Sequence, residues 1–381
     1  MKLCAIICEY NPFHNGHFYH IQEAKRLSGA DAVVCFLSGN FVQRGEAAIM
    51  DKYTRARHAV LAGADAVIEL PTVFATSNAE LFAKGGVKLL SSIPAVTTLC
   101  FGAENADKTA FKLGARYLFN EPEEVSNRIK AALQSGISYA KARAEAFVGF
   151  LPTELLTSPN NVLGLEYTKA LLAGNSAVDI LPIKRKGASY ADEELQEEFS
   201  SATAIRKAID DEEALGNNVP DFIKADLPSS LQTKLETLEK YALLARSKEG
   251  IASVCDCTEG LENAFKRVAN EDLPIVETLT SARYTSSRIR RIALQNLLNI
   301  DETTIRECLQ ADLYLRILAV KKGLNDLLSA LSESPYPLLA RPRDAIKLAG
   351  TAKRCYQIDE FAESVYRLLY PTNKKEIDIF V

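Results

Sequence analysis

The sequence predicts an α/β protein in which a doubly wound parallel sheet is followed by a mainly α-helical C-terminal domain. Short apolar runs of β type recur through the first half of the chain, and each is followed by a polar turn and a segment with helical period. Beyond about residue 212 this alternation stops and helical patterns take over. Alternating strands and helices are typical of βαβ units, whose strands pair in parallel and whose helices cover the sheet.

The predicted elements follow one another regularly as far as residue 183. Strands are predicted at residues 3–8, 32–37, 66–70, 97–101 and 178–183. Helical periodicity is clearest in "DKYTRARHAVLAGA" from Asp51 and in "NAELFAKGGVKLLSS" from Asn78. After the linker "NNVPDF", helices are predicted at residues 229–246, 301–331 and 358–370. We therefore expect two domains, at residues 1–212 and 220–381.

Composition limits the possible functions. The chain has 381 residues and a net charge of −4, so any binding of nucleic acid must come from a local basic patch. Its eight cysteines are scattered without a C-x-x-C pair, which is typical of a reducing compartment. No apolar stretch approaches the ~18 uncharged residues that a membrane span needs. We therefore expect a cytoplasmic protein with no membrane partner.

The segment "EYNPFHNGHFYH", residues 9–20, holds three of the four histidines of the chain. It begins where the first predicted strand ends, and doubly wound sheets bind ligands at the carboxyl ends of their strands. His14 and His17 would lie at the start of the following helix, where backbone N–H groups already favour an anion. We interpret this pair as imidazole donors in a phosphate site. A metal site and a surface cluster without chemistry stay open as alternatives, and His20 alone is better explained as structural.

Two short signatures occur in the order in which one enzyme superfamily shows them. "HNGH" at residues 14–17 resembles the HxGH signature of the nucleotidyltransferases, whose Rossmann-like domain binds a nucleoside triphosphate. "SSATAIRKAI" from Ser200 is similar to their second signature, with Ser201, Thr203 and Arg206 in its positions and Ala202 departing from the usual residue.

Longer stretches narrow the resemblance to one family. They are "EYNPFHNGH", "SGNFVQRGEAAIMDKYTRARHAVLAGADAVIELP", "FGAE", "LTSPNNVLGLEYTKAL" and "IKRKGASY". Together they cover most of residues 1–210 and resemble the bacterial tRNA(Met) cytidine acetate ligase family.

That resemblance implies a Rossmann-like fold of the nucleotidyltransferase type and a reaction in two steps. ATP and acetate would form acetyl-adenylate and pyrophosphate, and the acetyl group would then pass to the N4 amine of the wobble cytidine of elongator tRNA(Met). His14 and His17 would be catalytic, and Mg²⁺ is expected with ATP although no acidic pair identifies itself as its ligand. The ATP site would comprise Ile7, Cys8, Glu9, Tyr10, Asn11, Pro12, Phe13, His14, Gly16, His17, His20, Gly102, Asn161 and Arg185.

Three of these residues also have a simpler structural explanation. Gly102 follows the fourth strand, where the missing Cβ lets a ligand approach, but it could equally end the strand in a turn. Asn161 precedes an apolar helical pattern, so helix capping competes with nucleotide contact. Arg185 follows the fifth strand, where phosphate binding competes with an ordinary solvated run of charge.

Further candidates follow the second strand and occupy the second signature. Arg44 and Lys52 could meet acetate, triphosphate or RNA, and the sequence does not separate these ligands. Ser201, Thr203 and Arg206 are likewise predicted to contact phosphate or acetate.

The segment "SARYTSSRIRRIALQNLL" is the best candidate for a local basic patch, because residues 281–295 contain no acid. Arg283, Arg288, Arg290 and Arg291 are predicted to bind tRNA phosphates, the alternative being a solvated helix face. Adenylate chemistry alone would not need this patch. A small-molecule nucleotidyltransferase of cofactor metabolism and a non-catalytic nucleotide- or RNA-binding protein therefore remain as competing functions.

Overall fold

The computed structural model describes residues 1–186, 199–209, 215, 217–228, 234–370 and 379–381. Its strands are β1 (Leu3–Cys8), β2 (Ala32–Ser38), β3 (Phe41–Val42), β4 (Glu46–Ala47), β5 (Ala66–Leu70), β6 (Val96–Ala103), β7 (Asp179–Lys184), β8 (Leu315–Val320) and β9 (Leu338–Leu339). Residue 212, the predicted end of the first domain, lies outside the described residues, so the division into two domains stays a prediction.

Seven of these strands form one sheet in the order β7-β6-β1-β2-β5-β8-β9, and β3 pairs with β4 in a separate antiparallel hairpin. From β7 to β5 every neighbouring pair is parallel. These five parallel strands are the ones that the sequence predicts, with bounds that differ by at most a few residues. The predicted doubly wound α/β sheet is therefore confirmed.

The two faces of the sheet are buried in two separate apolar clusters. In β1, Leu3, Ala5 and Ile7 belong to one cluster, while Cys4 and Ile6 belong to the other. This alternation follows from the two-residue period of a strand. Strands that are apolar on both faces are typical of parallel sheets covered by helices on each side.

Helices make up most of the remaining described chain. In the first half they are α1 (Asn15–Ser28), α2 (Lys52–Leu61), α3 (Thr72–Ala75), α4 (Ala79–Ser91), α5 (Lys108–Phe119), α6 (Glu123–Gln134), α7 (Tyr139–Ala146), α8 (Glu154–Thr157), α9 (Pro159–Ala173) and α10 (Ala202–Lys207). Asp51 and Asn78, where the predicted helical patterns begin, cap α2 and α4 by accepting backbone N–H groups.

The C-terminal region is largely helical, as the sequence predicts. Its helices are α11 (Asp221–Lys224), α12 (Leu235–Ala245), α13 (Lys248–Ala252), α14 (Leu261–Asn270), α15 (Ile275–Leu279), α16 (Ser286–Leu297), α17 (Glu302–Gln310), α18 (Asn325–Ser332) and α19 (Gly350–Leu369), with a 3₁₀ helix at Pro342–Lys347. None of the described helices is both long and apolar enough to cross a membrane.

The helix predicted over residues 301–331 is wrong in its middle. α17 ends at Gln310, and the next described element is β8, which pairs antiparallel with β5 between Val320 and Ala66. All six residues of β8 are buried, and periodicity alone cannot distinguish a buried strand from a buried helical segment of that length. The second half of the chain thereby extends the sheet that the first half begins.

Candidate active site

A cavity lies at the carboxyl ends of β1, β6 and β7. The strand order reverses at β1, which has β6 on one side and β2 on the other, and doubly wound sheets bind ligands beside such a reversal. The structure brings most of the predicted ATP-binding residues to the lining of this cavity, namely Ile7, Cys8, Glu9, Tyr10, Asn11, His14, Gly16, His17, His20, Gly102 and Arg185. Arg44, Thr203 and Arg206, from the second set of candidates, line it as well. The two signatures, almost 200 residues apart in the sequence, thus meet at one cavity.

The two signature histidines are fixed by the start of α1. His14 is the N-cap residue, and its Nδ1 accepts a hydrogen bond from the backbone N–H of Gly16 at 3.0 Å. The backbone N–H of His14 in turn donates to Nδ1 of His17 at 3.3 Å, and the two rings stack with their centroids 3.7 Å apart. Because both Nδ1 atoms are acceptors, each neutral ring carries its proton on Nε2, which can donate to an anion.

These histidines are neutral at physiological pH. Burial lowers the pKa of His14 to about 3, and the positive charges of Arg185 and Arg206 act in the same direction. Burial also lowers the pKa of His17 well below 6.5, helped by His14 and Arg185. For His20, burial and Arg185 lower the pKa to about 4. The site therefore combines uncharged imidazole donors with guanidinium groups that supply the positive charge.

The low pKa of His14 predicts a specific loss of stability in acid. An unfolded His14 takes up its proton near pH 6.5 and the folded one only near pH 3, so the unfolded chain binds more protons between these values. The contribution of His14 is therefore present above pH 6.5 and lost as the pH falls. We expect His14 to account for about 1.5 kcal/mol of the decrease in unfolding free energy between pH 6.5 and pH 5.

Urea denaturation at the two pH values measures this effect. The His14→Asn variant keeps a capping side chain but has no imidazole to titrate, so its loss should be smaller than the wild-type loss by that amount. Equal losses in the two proteins would show that His14 is not held neutral by the fold.

The loop after β1 is held by a buried arginine that sequence analysis missed. Arg55 of α2 is fully buried, and its guanidinium donates to the backbone carbonyls of Glu9 at 2.5 Å, Met50 at 2.9 Å and Gly39. It thereby fixes the ends of β1 and β2 beside each other. No sequence signal marked it, because its partners are backbone carbonyls that any residue could supply.

Gly102 lies next to the aliphatic part of the Arg185 side chain, and a Cβ there would make only an ordinary van der Waals contact with it. It pairs with Ile183 of β7, and a Cβ at Gly102 would lie 3.4 Å from Cγ of Arg185. The backbone N–H of Arg185 donates to the carbonyl of Ala103 at 3.0 Å. The aliphatic stem of Arg185 therefore passes over the end of β6, which directs this side chain to the cavity.

Asn161, Pro12 and Phe13 are not brought to the cavity. Asn161 is fully buried, and its Oδ1 accepts from the backbone N–H groups of Glu104 at 3.0 Å and Asn105 at 3.2 Å. Its amide therefore holds the turn after β6, and its neighbour Asn160 lines the cavity instead.

Pro12 and Phe13 lie behind the cavity wall. Both are buried, and the Phe13 ring packs edge-on against Tyr10 with the centroids 4.8 Å apart. Phe13 belongs to an apolar core cluster, and neither residue lines the cavity.

Lys52 lies in a buried cluster of charges away from the cavity. Its Nζ is 2.6 Å from Glu69 Oε1 and 3.3 Å from Glu363 Oε2, and its side chain is 1% exposed. Arg316 of β8 lies 3.4 Å from the other oxygen of Glu69. Because these groups come from α2, β5, β8 and α19, Lys52 joins the two halves of the chain and does not reach a phosphate or acetate in the cavity.

Ser201 also has a structural position. It is buried as the N-cap of α10, where its Oγ accepts from the backbone N–H of Ala204 at 3.0 Å. Its neighbours Thr203 and Arg206 line the cavity, and Arg206 donates to the backbone carbonyl of Asn11 at 2.7 Å. The second signature therefore contacts the first through Arg206.

Two of the predicted tRNA-binding arginines stabilise a loop. Arg283 lies 2.5 Å from Glu259, and Arg288 donates to the backbone carbonyl of Asp256 at 2.7 Å. Arg283 is half exposed and stays accessible, whereas the guanidinium of Arg288 is tied to the 256–258 turn.

Arg290 and Arg291 of α16 contact the β3–β4 hairpin. Arg291 is largely buried, with its Nη1 3.4 Å from the backbone carbonyl of Gln43, so it packs against the hairpin and is not presented to a partner. Arg290 lies 3.3 Å from Glu46 and lines a second cavity. Arg290 and Arg291 are adjacent in the sequence and were predicted to have the same role, but in the structure only Arg290 lines a cavity.

The fold and the cavity together define a nucleotide-binding protein of the nucleotidyltransferase class. Two neutral histidines at a helix N-terminus, beside the carboxyl ends of a parallel sheet, suit a triphosphate. In agreement, a family model described as HIGH Nucleotidyl Transferase matches residues 1–378.

Relatives narrow this class to one family. The chain is 40% identical over 387 residues to a tRNA(Met) cytidine acetate ligase of Thermoanaerobacter sp. (strain X514). The alignment covers 97% of this chain and 96% of that protein. It is 39% identical over 386 residues to the tRNA(Met) cytidine acetate ligase of Caldanaerobacter subterraneus subsp. tengcongensis, with the same coverage of 97% and 96%. The chain belongs to the tRNA(Met) cytidine acetate ligase family.

Solved structures agree with this assignment. The apo form I of Thermotoga maritima TmcAL matches with a TM-score of 0.88 and 29% identity, covering 98% of this chain and 96% of that one. The same protein bound with alpha-thio ATP matches with a TM-score of 0.85, covering 98% and 95%. The family that the sequence stretches resemble is therefore confirmed.

Proposed function

We propose that the protein is an ATP-dependent ligase that acetylates the wobble cytidine of elongator tRNA(Met) at N4. Acetate would attack the α-phosphorus of ATP to give acetyl-adenylate and pyrophosphate. The N4 amine would then take the acetyl group and release AMP. The observation that carries this proposal is the pair of neutral, stacked histidines at the end of β1, in a chain whose family is named for this reaction.

The first step requires stabilisation of the charge that grows on the pyrophosphate leaving group. Nε2–H groups of His14 and His17 are neutral donors for phosphate oxygens, and Arg185 and Arg206 contribute positive charge from the same lining. Donors that are fixed before the reaction stabilise a transition state most effectively. Because acetate itself is the nucleophile, no protein nucleophile is needed.

Mg²⁺ is expected to accompany ATP as the counter-ion of its phosphates. Among the described residues, no group of three or more His, Cys, Asp or Glu side chains could hold a metal ion by itself. Glu9 and Glu46 are the carboxylates in the described lining of the cavity. This donor set fits an ion that is held mainly by phosphate oxygens and water, as Mg²⁺ commonly is at triphosphate sites.

The proposed substrate also indicates in which cellular compartment the protein acts. All eight cysteines are free in the structure, which suits a reducing environment, and a tRNA substrate is available in the cytoplasm. We therefore propose that the protein acts there.

The decisive experiment is acetate-dependent exchange of labelled pyrophosphate into ATP, first without RNA and then with bulk tRNA and labelled acetate. The proposal predicts exchange, followed by transfer of label to tRNA. Exchange with no transfer would favour a small-molecule nucleotidyltransferase. ATP binding with no exchange for any small carboxylate, even with tRNA present, would favour a non-catalytic binding protein.

A further inference from the structure

A second cavity adjoins the one at the ends of β1, β6 and β7, which we call the nucleotide cavity, and its lining residues are of a different kind. Four of the described residues that line it are cations, namely Arg44, Arg206, Lys207 and Arg290. Thr203, Ser286 and Glu46 complete the described lining, which includes no apolar or aromatic side chain. Such a surface suits a phosphate group and offers nothing on which a base could stack.

The two cavities share one wall. Arg44, Glu46, Thr203 and Arg206 line both of them. The nucleotide cavity has aromatic rings on its other sides, including Tyr19, Phe101 and Phe199. A nucleotide whose phosphate occupied the second cavity could therefore place its base in the first.

Contacts fix this wall in position. Arg206 is held by the backbone carbonyl of Asn11 at 2.7 Å and by Thr203 Oγ1 at 3.3 Å. On the opposite side, the turn of the β3–β4 hairpin packs against the backbone of α16, since a Cβ at Gly45 would lie 2.5 Å from the backbone nitrogen of Arg291. Gly45 has φ +77°, so a side chain there would also strain the backbone.

We propose that the second cavity binds a backbone phosphate of the substrate RNA adjacent to the cytidine that is acetylated. Four of the described lining residues are cations, and one of them, Arg290, lies 3.3 Å from Glu46, so a phosphate would be a second anionic partner for Arg290. Phosphate contacts of this kind set the register of a nucleic acid on a protein. This inference rests on the proposed function, because it takes the second substrate to be an RNA.

Lys207 offers the cleanest test because it lines the second cavity and not the first. The probe is a 17-nucleotide anticodon stem-loop with a CAU anticodon, titrated against the full chain at several salt concentrations. Lys207→Gln should weaken binding about 5- to 10-fold and reduce the slope of log K against log salt by about one. The ratio of acetyl transfer to pyrophosphate exchange, measured at subsaturating RNA, should fall by a similar factor.

Lys84→Gln is the matched control, since it removes the same charge from a half-exposed lysine on α4 that lines neither cavity. It should bind the stem-loop like the wild type. An equal loss in both variants would mean that net charge alone attracts the RNA, and would overturn the proposal.

Neutral methylphosphonates identify the phosphate. One is placed either 5′ or 3′ of the target cytidine, and each RNA is tested with the wild type and with Lys207→Gln. When the methylphosphonate replaces the phosphate that occupies the cavity, the wild type should bind the RNA more weakly. The Lys207→Gln variant already lacks the contact with that phosphate, so its affinity should fall little further. Additive losses at both positions would contradict the assignment.

The failure of this inference is distinguishable from the failure of the proposed function. A wild-type protein that shows neither exchange nor transfer removes the proposed function. A wild-type protein that catalyses both, combined with a Lys207→Gln variant of unchanged RNA affinity, removes the phosphate site. If the variant instead changes only inhibition by pyrophosphate, the cavity holds the leaving group and the RNA assignment is wrong.

Discussion

Replacing His14 by asparagine is expected to lower acetate-dependent pyrophosphate exchange by about 10²- to 10³-fold without unfolding the protein. The asparagine Oδ1 can still accept the N–H of Gly16 and cap α1, but no donor remains at the position of Nε2. The same loss is expected for His17→Asn, since its Nε2 is the second donor of the pair. Exchange kinetics at saturating ATP measure the effect.

His14→Ala separates the two roles of this residue. Alanine removes both the cap and the donor, so this variant should lose exchange to the same extent and, in addition, about 1 kcal/mol of stability. Exchange within about threefold of wild type in His14→Asn, but a large loss in His14→Ala, would mean that His14 acts only as a helix cap.

Replacing Arg55 by leucine is expected to lower the free energy of unfolding by more than about 3 kcal/mol. Leucine has a similar helix propensity, so α2 itself should tolerate it. Three carbonyls would nevertheless lose a charged donor, namely those of Gly39 and Met50 in buried hydrogen bonds and that of Glu9 in a partly buried one. Urea denaturation measures the change in the free energy of unfolding. The backbone amides of the loop after β1 should also exchange their hydrogens faster in the variant than in the wild type.

Arg57→Leu on the same helix is the matched control. Arg57 is 56% exposed, and its Nη1 lies 3.6 Å from Oδ2 of Asp226 in an ion pair at the surface. Exposed pairs of this kind contribute about 0–1 kcal/mol, so the control should stay near wild-type stability. Similar losses in both variants would show that Arg55 contributes no more than an ordinary surface arginine.

The sequence predicted the parallel sheet because its strands are short apolar runs separated by helical patterns. It failed at β8 because an apolar run inside a longer helical pattern has no local feature that marks it as a strand. That strand forms because it can pair with β5, a partner some 250 residues earlier that local periodicity does not reveal.

The candidate site was predicted where backbone geometry follows from the motif. His14, Gly16 and His17 sit at a strand end and a helix start, and both features are visible in the sequence. Asn161 and Lys52 do not line the cavity, and the sequence could not show this, because a buried polar residue that satisfies its neighbours looks, in sequence, like one that binds a ligand. Burial and partners distinguish these cases, and both depend on the tertiary structure.

The antiparallel pairing of β8 with β5 also means that β5 lacks one of its neighbouring strands during most of the synthesis of the chain. Residues 66–70 leave the ribosome long before residues 315–320, and synthesis proceeds at roughly 5–20 residues per second, so the edge of β5 waits on the order of tens of seconds for its partner. An open strand edge is a template for pairing with foreign chains. We therefore expect the nascent polypeptide to be more prone to aggregate than the finished protein, and slower translation of the C-terminal half to lengthen that interval.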